Sequence, residues 1–309
     1  MKAILIRAFG GPEVMEYAEV PEAMPGPNEV VVEVHAASVN PADLKMRDGS
    51  MNQYGALKLP RILGRDFSGQ VAAVGANISD LRPGDAVFGI ADRLKDGTHA
   101  ESHVLDASLV AKKPRNLTHI AAASLGVAAA SALTALEFAV SVKAGDRVLL
   151  HAGAGGVGHF AIQYARKKGA HVIATARAEN HEFVKSMGAQ EAVDYTAVDF
   201  ADAVKECDLV LDTLGGEAHF RSMACLKPGG TLVWLNAAPL PEKPARNDIK
   251  VVHAIVKAAR PQMERVGQLA AEGTLRPHVT ATFPLDRAAE AYAMVQTGRT
   301  RGKVVLTVR

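Results

Sequence analysis

D-R-V-L-L-H-A-G-A-G-G-V-G, residues 146–158, joins an apolar run directly to a glycine-rich turn. Residues 147–151 supply the β-branched and leucine run that a strand buried on both faces needs. Gly153, Gly155 and Gly158 then match G-x-G-x-x-G, with Gly156 and Val157 completing the turn. One glycine permits the tight turn, the next lets the backbone approach a phosphate, and the third lets helix and strand pack closely. From Val157 onward the apolar residues Val157, Ala161, Tyr164 and Ala165 recur at helical spacing, so free N–H groups and the positive end of the helix dipole would face an anion. Gly169 closes that helix. Strand, turn and helix together predict a pyrophosphate-binding site rather than a plain Gly-rich loop between packed elements.

The kind of dinucleotide depends on the end of the next strand. Residues 170–176 (A-H-V-I-A-T-A) read as that strand. A site preferring NAD carries Asp or Glu there, about 20 residues past the first glycine, on the ribose 2′-hydroxyl. No carboxylate occupies that place in the sequence. Thr175 offers a hydroxyl and Arg177 a planar cation whose fork suits a 2′-phosphate, against the alternative of a solvated loop arginine. NADPH is expected over NADH.

At 309 residues the chain can bury a large core, and its length is nearer two domains than one. A net charge of +2 gives no field for nucleic acid or an acidic membrane surface, and 5% aromatic residues provide no platform for stacking bases. Cys207 and Cys225 are too few for a disulfide framework or a structural zinc site, so they read as small buried hydrophobes in a reducing, cytoplasmic setting. Residues 1–9 alternate like a strand and lack secretory character. The longest apolar segment, residues 120–140, is interrupted by Ser124, Ser131, Thr134 and Glu137, which predicts a buried helix of a soluble protein rather than a membrane span of about 20 residues.

Two compositions divide the chain. Before about residue 115, the runs 29–36, 67–75, 86–89 and 100–105 are short, β-rich and separated by Pro and Gly signals. After about residue 145, strands expected at 147–151, 171–176, 191–195, 208–212 and 230–235 alternate with helices, as in a doubly wound sheet. Residues 239–260 read as a loop followed by a helix. The last 30 residues carry a strand, a helix at 286–297 and a final strand at 303–308.

The motifs V-N-P-A-D (39–43), I-L-G-R-D-F-S-G (62–69), R-P-G-D-A-V-F-G (82–89), H-A-G-A-G-G-V-G (151–158), G-A-Q-E-A-V-D-Y (188–195), L-D-T-L-G-G (211–216) and G-K-V-V-L (302–306) occur in one order across the chain. In this they resemble the zinc-free quinone oxidoreductase branch of the medium-chain dehydrogenase/reductase superfamily. The resemblance implies an α/β protein with a Rossmann doubly wound parallel sheet, residues 119–263. Beside it stands a GroES-like, partly open β-barrel substrate domain from residues 1–118 and 264–309. It also implies NADPH in the cleft between them, a small-molecule quinone or enone as hydride acceptor, and a homodimer. Zinc-dependent relatives place a cysteine where Asn40 stands and a histidine followed by glutamate where Arg65 and Asp66 stand. An amide and a guanidinium are not the thiolate and imidazole that catalytic zinc takes, so no metal is expected.

Without zinc, donors aimed at the substrate oxygen must stabilise its developing charge. Asn40 and Lys45 lie on a turn that in the family faces the nicotinamide and its ribose, and Tyr54 lies in the following loop. Each has a plainer role open to it: Asn40 precedes Pro41 and suits a turn, Lys45 suits the surface, and Tyr54 can pack its ring and wet its hydroxyl. Asp43 is expected to hydrogen-bond within the barrel. The expected cofactor contacts are completed by Thr134, by Tyr195, which relatives use near the adenosine phosphate, and by Leu214, Gly215, Leu235 and Asn236 at the carboxyl edge of the sheet. His151 reads as a satisfied core histidine before it reads as an acid. The function expected is NADPH-dependent reduction of a quinone or an α,β-unsaturated carbonyl. A zinc-free alcohol or aldehyde reductase and a non-catalytic NADPH sensor stand as alternatives.

Overall fold

The computed structural model describes residues 1–22, 24–235 and 246–309. The chain packs as two compact units, one of Met1–Ala128, Lys257–Gly273 and Pro277–Arg309, the other of Ala129–Val256 and Thr274–Arg276.

The second unit is a six-stranded, all-parallel sheet. Its strands are β1 (Arg147–Leu150), β2 (His171–Thr175), β3 (Glu191–Val193), β4 (Cys207–Asp212), β5 (Leu226–Trp234) and β6 (Lys250–His253), in the order 3-2-1-4-5-6. That is the order of a Rossmann sheet, and it reverses direction between β1 and β4. β1 holds the centre because its residues can be buried on both faces: Leu149 lies opposite Ile173 on one side and Val210 on the other. The helix Gly156–Lys167 follows β1 and ends on Gly169, whose φ of +85° is the left-handed conformation of a C′ residue.

In the first unit the eleven-residue strand Glu29–Val39 organises the barrel. Two register shifts, between Val31 and Val32 and between Val34 and Ala36, bend it. It therefore pairs with Ser102–Asp106 along residues 29–33 and with the C-terminal strand Lys303–Thr307 along residues 36–39, bringing both ends of the chain into one unit. Val30, Val32, Val34, Phe67, Val71 and Val87 fill its core.

The apolar stretch forms the helix His119–Leu133 with a π-turn at Thr134–Ala139. By length and composition it could cross a membrane, yet 72% of its apolar window is buried inside the protein. The helix is broken at Gly126, and the chain passes from one unit to the other just after the break. Residues 246–260 differ from the expected loop and helix. Residues 236–245 lie outside the described residues; Lys250–His253 is a strand, because the β-branched pair Val251 and Val252 adds an edge to β5, and the helix Arg260–Ala271 starts only at the end of the segment.

Candidate functional site

The glycine turn opens with Ala152 in the left-handed region (φ +50°), held by its N–H donating to Thr175 Oγ1. A Cβ at Gly158 would lie 2.2 Å from the Ala152 carbonyl oxygen and 2.7 Å from Gly153 Cα, and one at Gly153 would lie 2.7 Å from Ala174 Cβ. These two glycines let turn, helix and β2 touch. Gly155 differs, since its Cβ would meet only the Ala152 oxygen, at 3.2 Å. Gly155, Gly156 and Val157 form the partly exposed tip, with the N-terminus of the helix behind them. A cradle closed beneath and open above fits a pyrophosphate.

At the carboxyl end of β2 the structure separates two residues expected to act together. Thr175 is buried; its hydroxyl accepts from Ala152 N and bonds the His151 ring, so it braces the turn rather than facing a 2′-phosphate. Arg177, partly exposed, donates from Nε to the Tyr195 hydroxyl at 3.2 Å, joining the ends of β2 and β3. Asp194 and Glu179 also face Arg177. The Asp194 carboxylate is occupied by the backbone N–H groups of Ala178 and Thr196 and by the Thr196 hydroxyl.

Beyond β4, the Leu214 and Gly215 N–H groups both donate to Asp212 Oδ1, at 2.8 and 2.9 Å, and Gly215 has a φ of +71°. Leu235 follows β5, its N–H on the Asp212 carbonyl, and Asn236 lies outside the described residues. Thr134 is buried and its hydroxyl donates back to the Ala130 carbonyl, which occupies it within its own helix.

In the barrel unit the V-N-P-A-D turn leads into a buried charge network centred on Asp66. Its Oδ2 accepts from Ser38 Oγ (2.6 Å) and Asn40 Nδ2 (2.8 Å), and the Lys303 ammonium lies 3.5 Å away; Oδ1 accepts from Val127 N at 2.7 Å. Lys303 also donates to Asn40 Oδ1. Burial pushes the Lys303 ammonium below its ordinary range. Asn40 therefore uses both ends of its amide on internal partners, which makes it a structural link before a substrate donor. Asp43 accepts from Asn40 N and is pushed up to about 7 by burial and by the neighbouring Asp66. An ammonium beside Asp66, an amide at 40 and a guanidinium at 65 do not fit a divalent metal, and among the described residues no group of three His, Cys, Asp or Glu side chains could hold one. Lys45 is half-buried on the helix Pro41–Arg47 that the turn opens. Tyr54 has a buried hydroxyl without a hydrogen-bond partner among the described residues.

The sequence carries Lys303 and Asp212 inside the motifs G-K-V-V-L and L-D-T-L-G-G, but it does not reveal the inward direction of these two side chains.

Comparison with known proteins agrees with this architecture. Residues 26–115 match the family model for an alcohol dehydrogenase GroES-like domain, and residues 187–306 the model for a zinc-binding dehydrogenase. The chain is 32% identical to the mitochondrial NAD(P)H oxidoreductase RTN4IP1 of Mus musculus, over 100% of this chain and 89% of that protein. It is 32% identical to the 2-methylene-furan-3-one reductase of Solanum lycopersicum, over 99% and 79% respectively. The structure of the quinone oxidoreductase from Coxiella burnetii matches with a TM-score of 0.91 and 34% identity, covering 100% of this chain and 99% of that one. A mycobacterial protein, Rv1454c, in complex with NADPH matches with a TM-score of 0.89 and 29% identity, covering 100% of both. With the Rossmann strand order, the glycine cradle and these likenesses over its whole length, the chain belongs to the quinone oxidoreductase branch of the medium-chain dehydrogenase/reductase superfamily.

Proposed function

We propose that this chain transfers a hydride from NADPH to a quinone or to the C=C bond of an α,β-unsaturated carbonyl, without zinc. The observation that carries the cofactor half of this reading is the Arg177–Tyr195 pair. It sets a guanidinium at the end of β2, where an NAD site would carry a carboxylate, against a phenol from the end of β3. The open tip of the glycine turn and the left-handed Gly215 loop flank the point where the strand order reverses, which is where a dinucleotide binds in such sheets.

NADPH supplies the hydride, and the protein supplies position and charge. The Rossmann unit binds the dinucleotide through the N–H groups at the start of the helix Gly156–Lys167. The barrel unit takes the substrate. Tyr54, whose buried hydroxyl has no partner among the described residues, and the half-buried Lys45 are the candidates to donate to the substrate oxygen. Asn40 holds the turn that carries Lys45, through Asp66 and Lys303. The likeness to a 2-methylene-furan-3-one reductase and to a quinone oxidoreductase supports conjugated carbonyls as acceptors. The same reading includes a homodimer in the cytoplasm, and light scattering tests its oligomeric part.

The decisive experiment follows NADPH oxidation against matched quinones, enones and simple aldehydes, with Arg177→Glu alongside. The reading expects turnover of the conjugated acceptors and a rise in KM for NADPH far above that for NADH in the variant. Tight NADPH binding with no turnover would replace the enzyme by a sensor, and equal effects on both cofactors would remove Arg177 from the site.

A further inference from the structure

Four side chains of the Rossmann unit that the proposed reaction does not use are buried together: His151, Asp212, His219 and Ser222, each no more than 2% exposed. Their hydrogen bonds have assignable directions. The Ser222 hydroxyl donates its one proton to the Ala218 carbonyl at 2.6 Å, so at its 2.8 Å contact with His151 Nε2 it must accept. His151 is therefore the Nε2–H tautomer, and its bare Nδ1 accepts from the Thr175 hydroxyl at 3.2 Å. Thr175 in turn accepts from Ala152 N, at the head of the glycine turn. One uninterrupted chain of donors thus runs from the turn, through Thr175 and His151, to the helix Gly216–Ser222. Bonds aligned in this way polarise one another in a buried setting. Burial pushes His151 down to about 4, in keeping with a neutral ring.

The same helix carries a second arm. His219, three residues before Ser222 and so on the same face, donates from Nδ1 to Asp212 Oδ2 at 2.9 Å, while Asp212 Oδ1 holds the Leu214 and Gly215 N–H groups. The His219 ring also meets Trp234 edge-on, with centroids 5.8 Å apart, at the end of β5. The two loops on either side of the sheet's reversal point are thereby tied to one seven-residue helix.

We propose that the helix Gly216–Ser222 is a positioning element that sets the spacing of the two cofactor-binding loops, His219 acting on the Leu214–Gly215 loop through Asp212 and Ser222 acting on the glycine turn through His151 and Thr175. The inference rests on NADPH occupying those loops. His219 and Ser222 touch neither cofactor nor substrate, so the device affects cofactor affinity and leaves substrate recognition alone.

The test compares wild type, Ser222→Ala, His219→Phe, His219→Asn and the Ser222→Ala/His219→Phe double variant, by calorimetric titration with NADPH and by steady-state kinetics. Asparagine can offer an N–H near the place of the ring Nδ1–H. Each removal is expected to raise the Kd for NADPH roughly 10-fold or more, the size of one buried hydrogen bond left unmade, with the KM for quinone unchanged. His219→Asn should recover much of the loss. The double variant should lose less than the product of the two single losses, because both arms end on one helix. Unchanged NADPH affinity in the single variants, or independent losses in the double variant, would overturn the proposal, as would equal changes in quinone KM. Wild type that binds no NADPH would instead overturn the cofactor reading itself. Should His219→Phe not fold, Ser222→Ala still decides the matter: NADPH affinity unchanged in that variant overturns the proposal.

Discussion

Gly155 and Gly158 stand three positions apart in one turn and differ in what a side chain would meet. A methyl at Gly158 collides with the Ala152 carbonyl and Gly153 Cα, both backbone. Gly158→Ala must therefore shift the turn, at a cost of about 1–3 kcal/mol for overpacking, visible as a lower Tm together with weaker NADPH binding. Gly155→Leu extends into the open tip, so it should keep a near-native Tm and yet abolish NADPH binding in the same titration. Equal Tm losses in both variants would show that the tip is packed rather than open. Ala152 adds a further residue-level expectation. Its φ of +50° is strained for a residue with a Cβ, so Ala152→Gly should raise Tm or leave it unchanged. The glycine spacing was legible because backbone sterics depend on residue type alone. The task of Thr175 was not, because its hydroxyl faces His151 across a strand boundary and no local pattern records that.

Among the elements, the break in the long helix is the clearest case of a tertiary cause. A Cβ at Gly126 would lie 2.2 Å from Asp66 Oδ1, and the same oxygen accepts the N–H of Val127, the start of the second helical segment. The buried carboxylate both needs the glycine and caps that second segment. Asp66→Asn removes the counter-charge of Lys303 and faces an N–H donor toward Ser38, Asn40 or Val127. Breaking a buried pair in this way costs about 3–5 kcal/mol, to be read as loss of Tm in thermal unfolding. Asp66→Asn combined with Lys303→Met should lose less than the two single variants summed, because no unpaired charge remains; additive losses would mean that Asp66 acts through the helix cap alone. The alanine run predicted a helix but gave no sign of the break, since Gly126 interrupts a pattern only weakly. Likewise β1 to β5 were legible from their apolar runs, whereas the edge strand Lys250–His253 was not: it has four residues, mostly exposed, and leaves little pattern to read. Asp212 and Lys303 lay inside recognisable motifs, but their function depends on pointing inward, which strand periodicity gives only once the register is known.

For the molecule as a whole, the buried histidines predict a loss of stability in acid. His99, His103 and His151 are each pushed from 6.5 down to about 4 by burial. A group whose pKa is lower in the folded state leaves the unfolded chain holding more protons between those values, so its contribution is complete above about pH 6.5 and is lost as pH falls toward 4. Asp43 acts with the opposite sign. Its carboxyl is raised from 3.8 to about 7, so its contribution weakens as pH rises through that range. Between pH 4 and 6.5 the lowered histidines outnumber the one raised carboxyl, so the unfolded chain holds more protons than the folded one and stability falls as pH falls there. Tm should therefore fall steeply on acidification below about pH 6.5 and change little just above neutrality. His103 allows this to be assigned to one residue. Its Nε2 is buried without a partner among the described residues, and its ring lies 6.3 Å from that of Phe67 in the barrel core. His103→Phe removes both the orphaned polar atom and the titration. It should raise Tm at every pH, by most at the acid end, and flatten the slope by about one proton; an unchanged slope would mean that His103 is not among the groups that unfold the protein in acid.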